Sequence, residues 1–221
     1  MKLKLTLLAA AAALMSAGAA NAQVTKTFVE GDGSLSPGEI SFATFDGGQN
    51  GGVTGTYIIQ TGSNGNGAEP PFGDQTDNYL SVLGGQSASF DFSGFAGGGL
   101  SQLGLDYGSA DTFNTFTLFL MGAMVPSISF TGQQIIDSGI ANGDQGDPRT
   151  NGRLTFFANP GVLITGLNLT SGANSLETDN YGVTAAVPEP STWAMMLFGF
   201  GAIGFGMRRS RRSNSRILQV A

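Results

Sequence analysis

The residues that could do chemistry in this 221-residue chain are mostly carboxylates, because the sequence contains no histidine and no cysteine. Their absence excludes Ser-His-Asp and Cys-His catalysis, histidine-ligated zinc, disulfides and thiolate metal sites. A pair of carboxylates could still hydrolyse a glycosidic bond. Acidic residues at strand ends and turns are, however, far more often turn-forming or solvated, so we expect no enzymatic activity. The conceivable members of such a pair are Asp91, Asp106, Asp111 and Glu177.

Calcium binding is the second chemistry that the sequence allows. Residues 142–147 read Asn-Gly-Asp-Gln-Gly-Asp and place Asp144 and Asp147 in one glycine-rich loop. Carboxylate and amide oxygens suit Ca²⁺, but the spacing matches neither an EF-hand loop nor the nonapeptide calcium repeat. An Asx-rich turn is therefore the alternative interpretation. Weaker calcium candidates are Asp74 with Asp77, and Asp179 with Asn180.

Short β-strands separated by glycine-rich turns are the elements that would position these side chains. Glycine accounts for 35 residues, and turn signals such as Asn64-Gly65 and Asn142-Gly143 recur along the chain. Apolar and polar residues alternate clearly within 113–120, which indicates antiparallel sheets with one buried face. We predict an all-β, jelly-roll-like antiparallel β-sandwich, with a β-solenoid as the runner-up that the absence of a fixed repeat disfavours. The predicted strands are 24–29, 40–45, 53–60, 79–83, 87–92, 103–107, 112–121, 127–131, 153–158, 162–169 and 176–183.

The first 22 residues have the pattern of a secretory signal peptide. Lys2 and Lys4 precede an apolar run, and Ala20-Asn21-Ala22 forms a small-residue cleavage site before Gln23. The alternative, an N-terminal membrane anchor, is disfavoured because the apolar run is too short to cross about 30 Å of hydrocarbon. The pattern predicts export through the Sec translocon and cleavage by signal peptidase.

The C-terminal end has three features in fixed order. Pro188-Glu189-Pro190 is followed by Trp193-Ala194, and no charged residue occurs from 192 to 207. We predict one transmembrane helix here, with its C-terminus in the cytoplasm because basic residues stay on that side. The arginines that would stop the helix are Arg208, Arg209, Arg211 and Arg212. The predicted organisation is a body at 23–183, a linker at 184–187, a tail at 188–212 and a polar, basic extension at 213–221.

The charge of the chain is strongly segregated. Residues 23–187 contain 15 of the 16 acidic residues but only three basic ones, Lys26, Arg149 and Arg153, which gives this part a net charge of −12. Such a surface repels nucleic acid and anionic lipid, so we expect no nucleic-acid partner.

The tail resembles the PEP-CTERM sorting signal in its Pro-Glu-Pro-x-x-Trp-Ala variant, and Pro188, Glu189, Pro190, Trp193 and Ala194 match every fixed position. The same tail is also known as an ice-binding-protein C-terminal motif, a name that describes no activity of the body. The resemblance implies processing by an exosortase, a membrane transpeptidase of bacteria that make exopolysaccharide. Several phrases of the body (77–85, 107–114 and 176–180) also resemble small exosortase-dependent surface proteins, which implies a jelly-roll-like sandwich.

From these features we expect an exported, non-enzymatic surface or extracellular-matrix protein that is held transiently at the inner membrane before it is sorted by an exosortase. Exopolysaccharide is the expected partner. The alternatives are a carbohydrate-binding module and a secreted glycoside hydrolase.

Overall fold

The structure is a computed structural model that describes residues 23–31, 33–70, 77–136, 139–187 and 190–214. It divides into two compact units, Met1–Ala185 and Ala186–Ala221. The predicted signal peptide with Ala20 and Ala22 lies outside the described residues, as do Asp74 and the motif residues Pro188 and Glu189.

Antiparallel β-strands are the main elements of the described part of the first unit, joined by turns, three short 3₁₀ helices and one four-residue α-helix, α1 (Gly132–Ile135). The strands are β1 (Val24–Glu30), β2 (Ile40–Ala43), β3 (Thr54–Thr56), β4 (Ile58–Thr61), β5 (Asn78–Val82), β6 (Ser87–Asp91), β7 (Leu100–Gly108), β8 (Asn114–Met121), β9 (Ser127–Thr131), β10 (Gly152–Ala158), β11 (Leu163–Ser171) and β12 (Leu176–Ala185).

Each of the eleven segments predicted from alternation and turn chemistry contains a strand. The segment 53–60 contains two, β3 and β4, because the chain changes partners at Tyr57. Strand β3 pairs with β6, whereas β4 pairs with β5. The segment 53–60, predicted as one strand, is therefore two strands that pair with different neighbours.

The strands form two groups, which we call layers. The five-strand layer has the order β9-β8-β11-β6-β3. The seven-strand layer has the order β1-β10-β7-β12-β5-β4, with β2 also paired to β12. The pair Leu100–Ile164 joins the two layers through β7 and β11, and an isolated bridge between Gly84 and Ser171 links them a second time. The result is one nearly closed, sandwich-like antiparallel sheet, which confirms the all-β prediction; the jelly-roll order stays a prediction.

Aromatic side chains from both layers fill the space between them. The ring centroids of Tyr107 and Phe116 are 4.8 Å apart, and those of Phe90 and Tyr181 are 4.7 Å apart. Each of these pairs joins one layer to the other, so the inner faces pack directly against each other. Phe92, Leu118, Phe156 and Ile164 are fully buried in the same core. This core stabilises the body without any disulfide.

Strand β12 continues through Ala185, where it pairs with Leu100 of β7. Two of the four residues assigned to the linker therefore belong to the last strand. The described part of the second unit, residues 186–187 and 190–214, contains one helix, α2 (Pro190–Asn214), which includes Trp193, Ala194 and the arginines 208, 209, 211 and 212.

The predicted C-terminal helix is present, but its transmembrane character is not supported by its hydropathy. Among the described residues, no helix is both long and apolar enough to cross a membrane. The uncharged stretch has 16 residues, where a spanning helix needs about 20, and it contains four glycines, which add little hydropathy.

Candidate functional site

A row of ionisable side chains crosses the outward face of the seven-strand layer. Arg153 of β10 lies opposite Asp106 of β7, and Asp106 lies opposite Asp179 of β12. Residues directly opposite each other in neighbouring strands share one face of a sheet. All three side chains are nevertheless buried, with at most 3% of their surface exposed. This row is therefore an interior polar network and not a solvated surface.

Arg153 is the centre of this network. Its Nη2 lies 2.5 Å from Glu39 Oε2, and its Nη1 donates to Asp106 Oδ1 at 2.9 Å and to the Asn180 carbonyl at 2.5 Å. Asn180 Nδ2 donates to the other Asp106 oxygen at 3.0 Å. Because one guanidinium is shared by two buried carboxylates, its loss would leave both without a cation.

Two glycines make room for the ion pair. A Cβ added at Gly182 would lie 2.6 Å from Glu39 Oε2 and 2.8 Å from Arg153 Nη2. A Cβ at Gly104 would collide with the same two groups. Glu39 is the last residue of the loop before β2. Its side chain therefore covers the sheet at Gly104 and Gly182, where the strands carry no side chain.

Asp179 is the third carboxyl of the row, and it has an unusual environment. Burial raises the pKa of Asp179 to about 8, with further increases from the charges of Asp106, Asp46 and Asp77. Its Oδ1 has no hydrogen-bond partner among the described residues. Two adjacent buried carboxyls that share one face cannot both ionise easily, so Asp179 keeps its proton at neutral pH.

A polar pocket of about 120 Å³ opens beside the start of β12. It is formed by the loop after β4, the end of β7, the loop 142–147 and the β11–β12 connection. Its lining consists of Asn64, Gly65, Gly67, Ala68, Ser109, Asp111, Gly143, Gln145, Asn174, Ser175 and Glu177. No aromatic ring is among these residues, so the pocket lacks the stacking platform typical of a sugar cleft.

Glu177 holds three of these segments together. Its Oε1 accepts hydrogen bonds from the Ala68 N–H at 3.2 Å and from the Ser175 hydroxyl, and its Oε2 accepts one from the Ser109 hydroxyl at 2.8 Å. Burial raises the pKa of Glu177 in spite of these donors. Burial also raises the pKa of Asp111, which lies at the pocket and is half-buried.

The structure thus brings together two of the four carboxylates considered for hydrolysis and separates the others. Asp111 and Glu177 line the pocket. Asp106 is bound by Arg153, and Asp91 is exposed at the end of β6. A cleft with two carboxylates therefore exists, but one of them is fully engaged by hydrogen-bond donors of the protein.

Asp144 and Asp147 both lie in the predicted calcium loop, and each carboxylate accepts hydrogen bonds from residues that follow it closely in the chain. Asp147 Oδ2 lies 2.5 Å from Arg149 Nη2, and its Oδ1 accepts the Arg149 N–H. Asp144 Oδ1 accepts the Gly146 N–H at 2.9 Å, which is an Asx-turn contact. No group of three or more acidic side chains suited to a metal occurs in the described part of the chain. Calcium binding stays a prediction.

Sequence reasoning missed the role of Arg153, which it treated only as one of three basic residues of the body. The available signal was its position inside a strand, since an arginine in a buried strand needs carboxylate partners. Which carboxylates these are depends on strand register, and residues 23–187 contain 15 candidates.

Comparison with known proteins identifies no family for the body. No curated protein matches the chain. A crystal structure of the exo-β-1,3-galactanase from Phanerochaete chrysosporium with galactose shares 17% identity over 68% of this chain and 30% of its own chain, with a TM-score of 0.35. The solution structure of CtCBM11 shares 11% identity over 77% of this chain and all of its own, with a TM-score of 0.22. With TM-scores this low, neither structure supports an inference about the fold or the function of the body.

The tail is a different case. Residues 186–212 match the family model of the PEP-CTERM protein-sorting motif, which confirms the resemblance noted from the sequence. The match includes Pro188, Glu189, Pro190, Trp193, Ala194 and the four arginines at 208–212. The chain therefore carries a PEP-CTERM sorting motif at its C-terminal end.

Proposed function

We propose that this protein is exported, sorted and processed by an exosortase through its tail, and retained as a non-enzymatic component of the cell surface or extracellular matrix in association with exopolysaccharide. The observation that carries the proposal is the PEP-CTERM motif at residues 186–212. In this proposal the signal peptide is removed before Gln23, and the body is a jelly-roll-like sandwich.

The tail would work in two steps. The apolar part of α2 would first hold the unprocessed chain at the inner membrane, with the arginines on the cytoplasmic side. Its uncharged stretch is short, so this step relies on local thinning of the bilayer and on arginine side chains that reach the interface. Exosortase would then recognise the Pro-Glu-Pro segment, where two prolines keep the chain extended, and separate the body from the helix.

The proposal predicts that Glu189→Ala blocks processing. The only carboxylate of the motif would be lost, so we expect most of the protein to stay in the membrane fraction with its tail attached. Mass spectrometry of the membrane and extracellular fractions measures the outcome. Ser191→Ala is the matched control, because position 191 is not fixed in the motif, and it should be released normally. Normal release of Glu189→Ala would show that the tail is not read as a sorting signal.

The pocket at Glu177 supports a structural and not a catalytic role in this proposal. A general acid must be able to give its proton to a substrate, but both oxygens of Glu177 already accept bonds from Ala68, Ser109 and Ser175. These hydrogen bonds join the loop after β4, the end of β7 and the β11–β12 connection to Glu177 at the start of β12.

We therefore predict that Glu177→Gln lowers the free energy of unfolding by about 1–3 kcal/mol, because an amide NH₂ cannot accept the bonds that one carboxylate oxygen accepts. Denaturant unfolding measures this loss. Asp111→Asn in the same pocket is the control and should change stability less. Release of reducing sugar from a polysaccharide, abolished by both substitutions, would instead establish a hydrolase.

A body that binds carbohydrate by itself is the second candidate. The observation that favours it is an exposed aromatic side chain, Phe119, on the outward face of the five-strand layer. Aromatic rings at a polar surface offer apolar area to one face of a sugar.

A further inference from the structure

Ten small polar side chains, nine of them bearing a hydroxyl, form two complete rows across the outward face of the five-strand layer. Strand register aligns one residue of each strand in each row. All ten side chains are exposed or half-buried. Of the residues between them along each strand, four lie in or against the core (Phe130, Phe116, Leu169 and Ala88), and Gly55 has no side chain. The rows are Thr131-Thr115-Thr170-Ser87-Thr56 and Ser129-Thr117-Asn168-Ser89-Thr54.

The geometry of a β-sheet makes these rows a regular grid. Neighbouring strands lie about 4.8 Å apart, and residues two apart along a strand are separated by about 6.7 Å. Side-chain bonds within the second row hold it in place: Thr117 Oγ1 lies 2.8 Å from Ser129 Oγ, and Asn168 Nδ2 donates to Ser89 Oγ at 2.8 Å. Nine hydroxyls and one amide are thus presented at fixed spacing.

A third, partial row adds an aromatic ring. It consists of Ser127, Phe119, Gly166 and Asp91. Phe119 is 46% exposed, and a Cβ added at Gly166 would lie 3.2 Å from its ring carbon Cδ2. The missing side chain at Gly166 therefore lets the ring lie close against the sheet. We call the three rows together the hydroxyl face.

The charge of the hydroxyl face differs from that of the body as a whole. None of the ten residues in the complete rows is charged, and Asp91 at the margin is the single charge of the third row. Soluble surfaces usually carry a quarter or more charged residues, which keep exposed sheets from associating. Of the 15 acidic residues of the body, only Asp91 lies in the three rows, so a neutral partner on the two complete rows meets no charge that must be desolvated.

We propose that the hydroxyl face binds a neutral polysaccharide chain, with the Phe119 ring against a sugar ring and the rows of hydroxyls bonded to the sugar hydroxyls. This inference rests on the proposed association with exopolysaccharide and names the surface and the ligand class. Hydroxyls donate and accept at once, so they match a polymer that carries only hydroxyls. Each hydrogen bond contributes little to the binding free energy, but a polymer offers many equivalent sugar units, and their combined binding gives avidity. Anionic polymers are repelled by the acidic body.

Binding of the full-length protein to cellulose, β-1,3-glucan particles and cross-linked dextran tests the proposal, with alginate as the anionic polymer. We expect binding to at least one neutral polymer and at least tenfold weaker binding to alginate. Thr117→Lys and Phe119→Ala should each weaken binding to the neutral polymer by fivefold or more. Matched controls in the seven-strand layer are Thr27→Lys and Ile59→Ala, both at exposed strand positions, and they should bind within twofold of the parent.

Several results would overturn the proposal. These are an absence of binding to all three neutral polymers, equal binding to alginate, or equal losses in the face and control variants while circular dichroism shows all four folded. Self-association of the parent that Phe119→Ala abolishes, without any polymer binding, would assign the face to a second copy of this chain. Fractionation of the producing cells tests the proposed function separately. If the parent and Phe119→Ala both co-purify with extracellular polysaccharide, the protein associates with exopolysaccharide, but the hydroxyl face is not the surface that binds it.

Discussion

We expect the Arg153→Met variant to unfold with a free energy about 3–5 kcal/mol below that of the parent protein. Arg153 is the shared cation of Glu39 and Asp106, and the side chains of all three residues are at most 1% exposed. Methionine fills similar volume, so the loss reports mainly on two buried carboxylates left without a positive charge. A difference of this size is a large fraction of the stability of an ordinary domain.

Urea unfolding followed by circular dichroism measures the change, because the single tryptophan, Trp193, lies in the tail and not in the body. Arg149→Met is the matched control: Arg149 also pairs with an aspartate, but its side chain is 56% exposed, so little change is expected. Adding Glu39→Gln and Asp106→Asn to Arg153→Met should restore part of the loss. Equal effects of Arg153→Met and Arg149→Met would contradict the network as described.

The second large effect concerns pH. Asp179 has a folded-state pKa of about 8, well above the value near 4 of an exposed aspartate. Between these values the unfolded chain loses the proton while the folded protein keeps it, so the contribution of Asp179 to stability falls as pH rises from about 4 to 8. Asparagine resembles the protonated carboxyl and does not ionise. Asp179→Asn should therefore become more stable relative to the parent as pH rises, by about 2–4 kcal/mol between pH 5 and pH 8.

The free energies of unfolding of the parent and of Asp179→Asn are measured at pH 5, 6, 7, 8 and 9. The difference between the two proteins is used because titration of groups distant from Asp179 affects both equally. Asp91→Asn provides the control, and its difference from the parent should stay constant over this pH range. Hydrogen bonds from Ser93 lower the pKa of Asp91, so its contribution is lost only as pH falls into the acid range. A parent–variant difference for Asp179→Asn that stays constant from pH 5 to pH 8 would mean that Asp179 is ionised in the folded protein.

Much of the strand pattern could be predicted because local alternation encodes which side of a strand is buried. Strand β9 was predicted with the bounds that it has in the structure, and β1, β6 and β10 differ by one residue at one end. The segment 53–60 was predicted as one strand although it contains two, because its residues carry almost no alternation and depend on pairing with β6 and β5 for their conformation.

The polar sites were harder to predict from sequence. Asp91, Asp106, Asp111 and Glu177 looked alike in the chain, yet one is exposed, one is bound by Arg153 and two line a pocket. Asp179 was considered only as a weak calcium ligand, whereas burial against Asp106 gives it a raised pKa. Such differences arise from desolvation and neighbouring charges, and both depend on residues far away in sequence.

The sequence alone determined the strand-rich body, the segregation of charge and the sorting motif, because each is written in contiguous residues whose order is sufficient to recognise it. Tertiary structure decided the rest. Register placed Arg153, Asp106 and Asp179 in one row, and it aligned serines and threonines from five separate strands into the hydroxyl face. A shift of one residue in any strand would turn those side chains to the opposite side of the sheet. Long-range pairing therefore determined which residues act together, a property that no single segment of the chain contains.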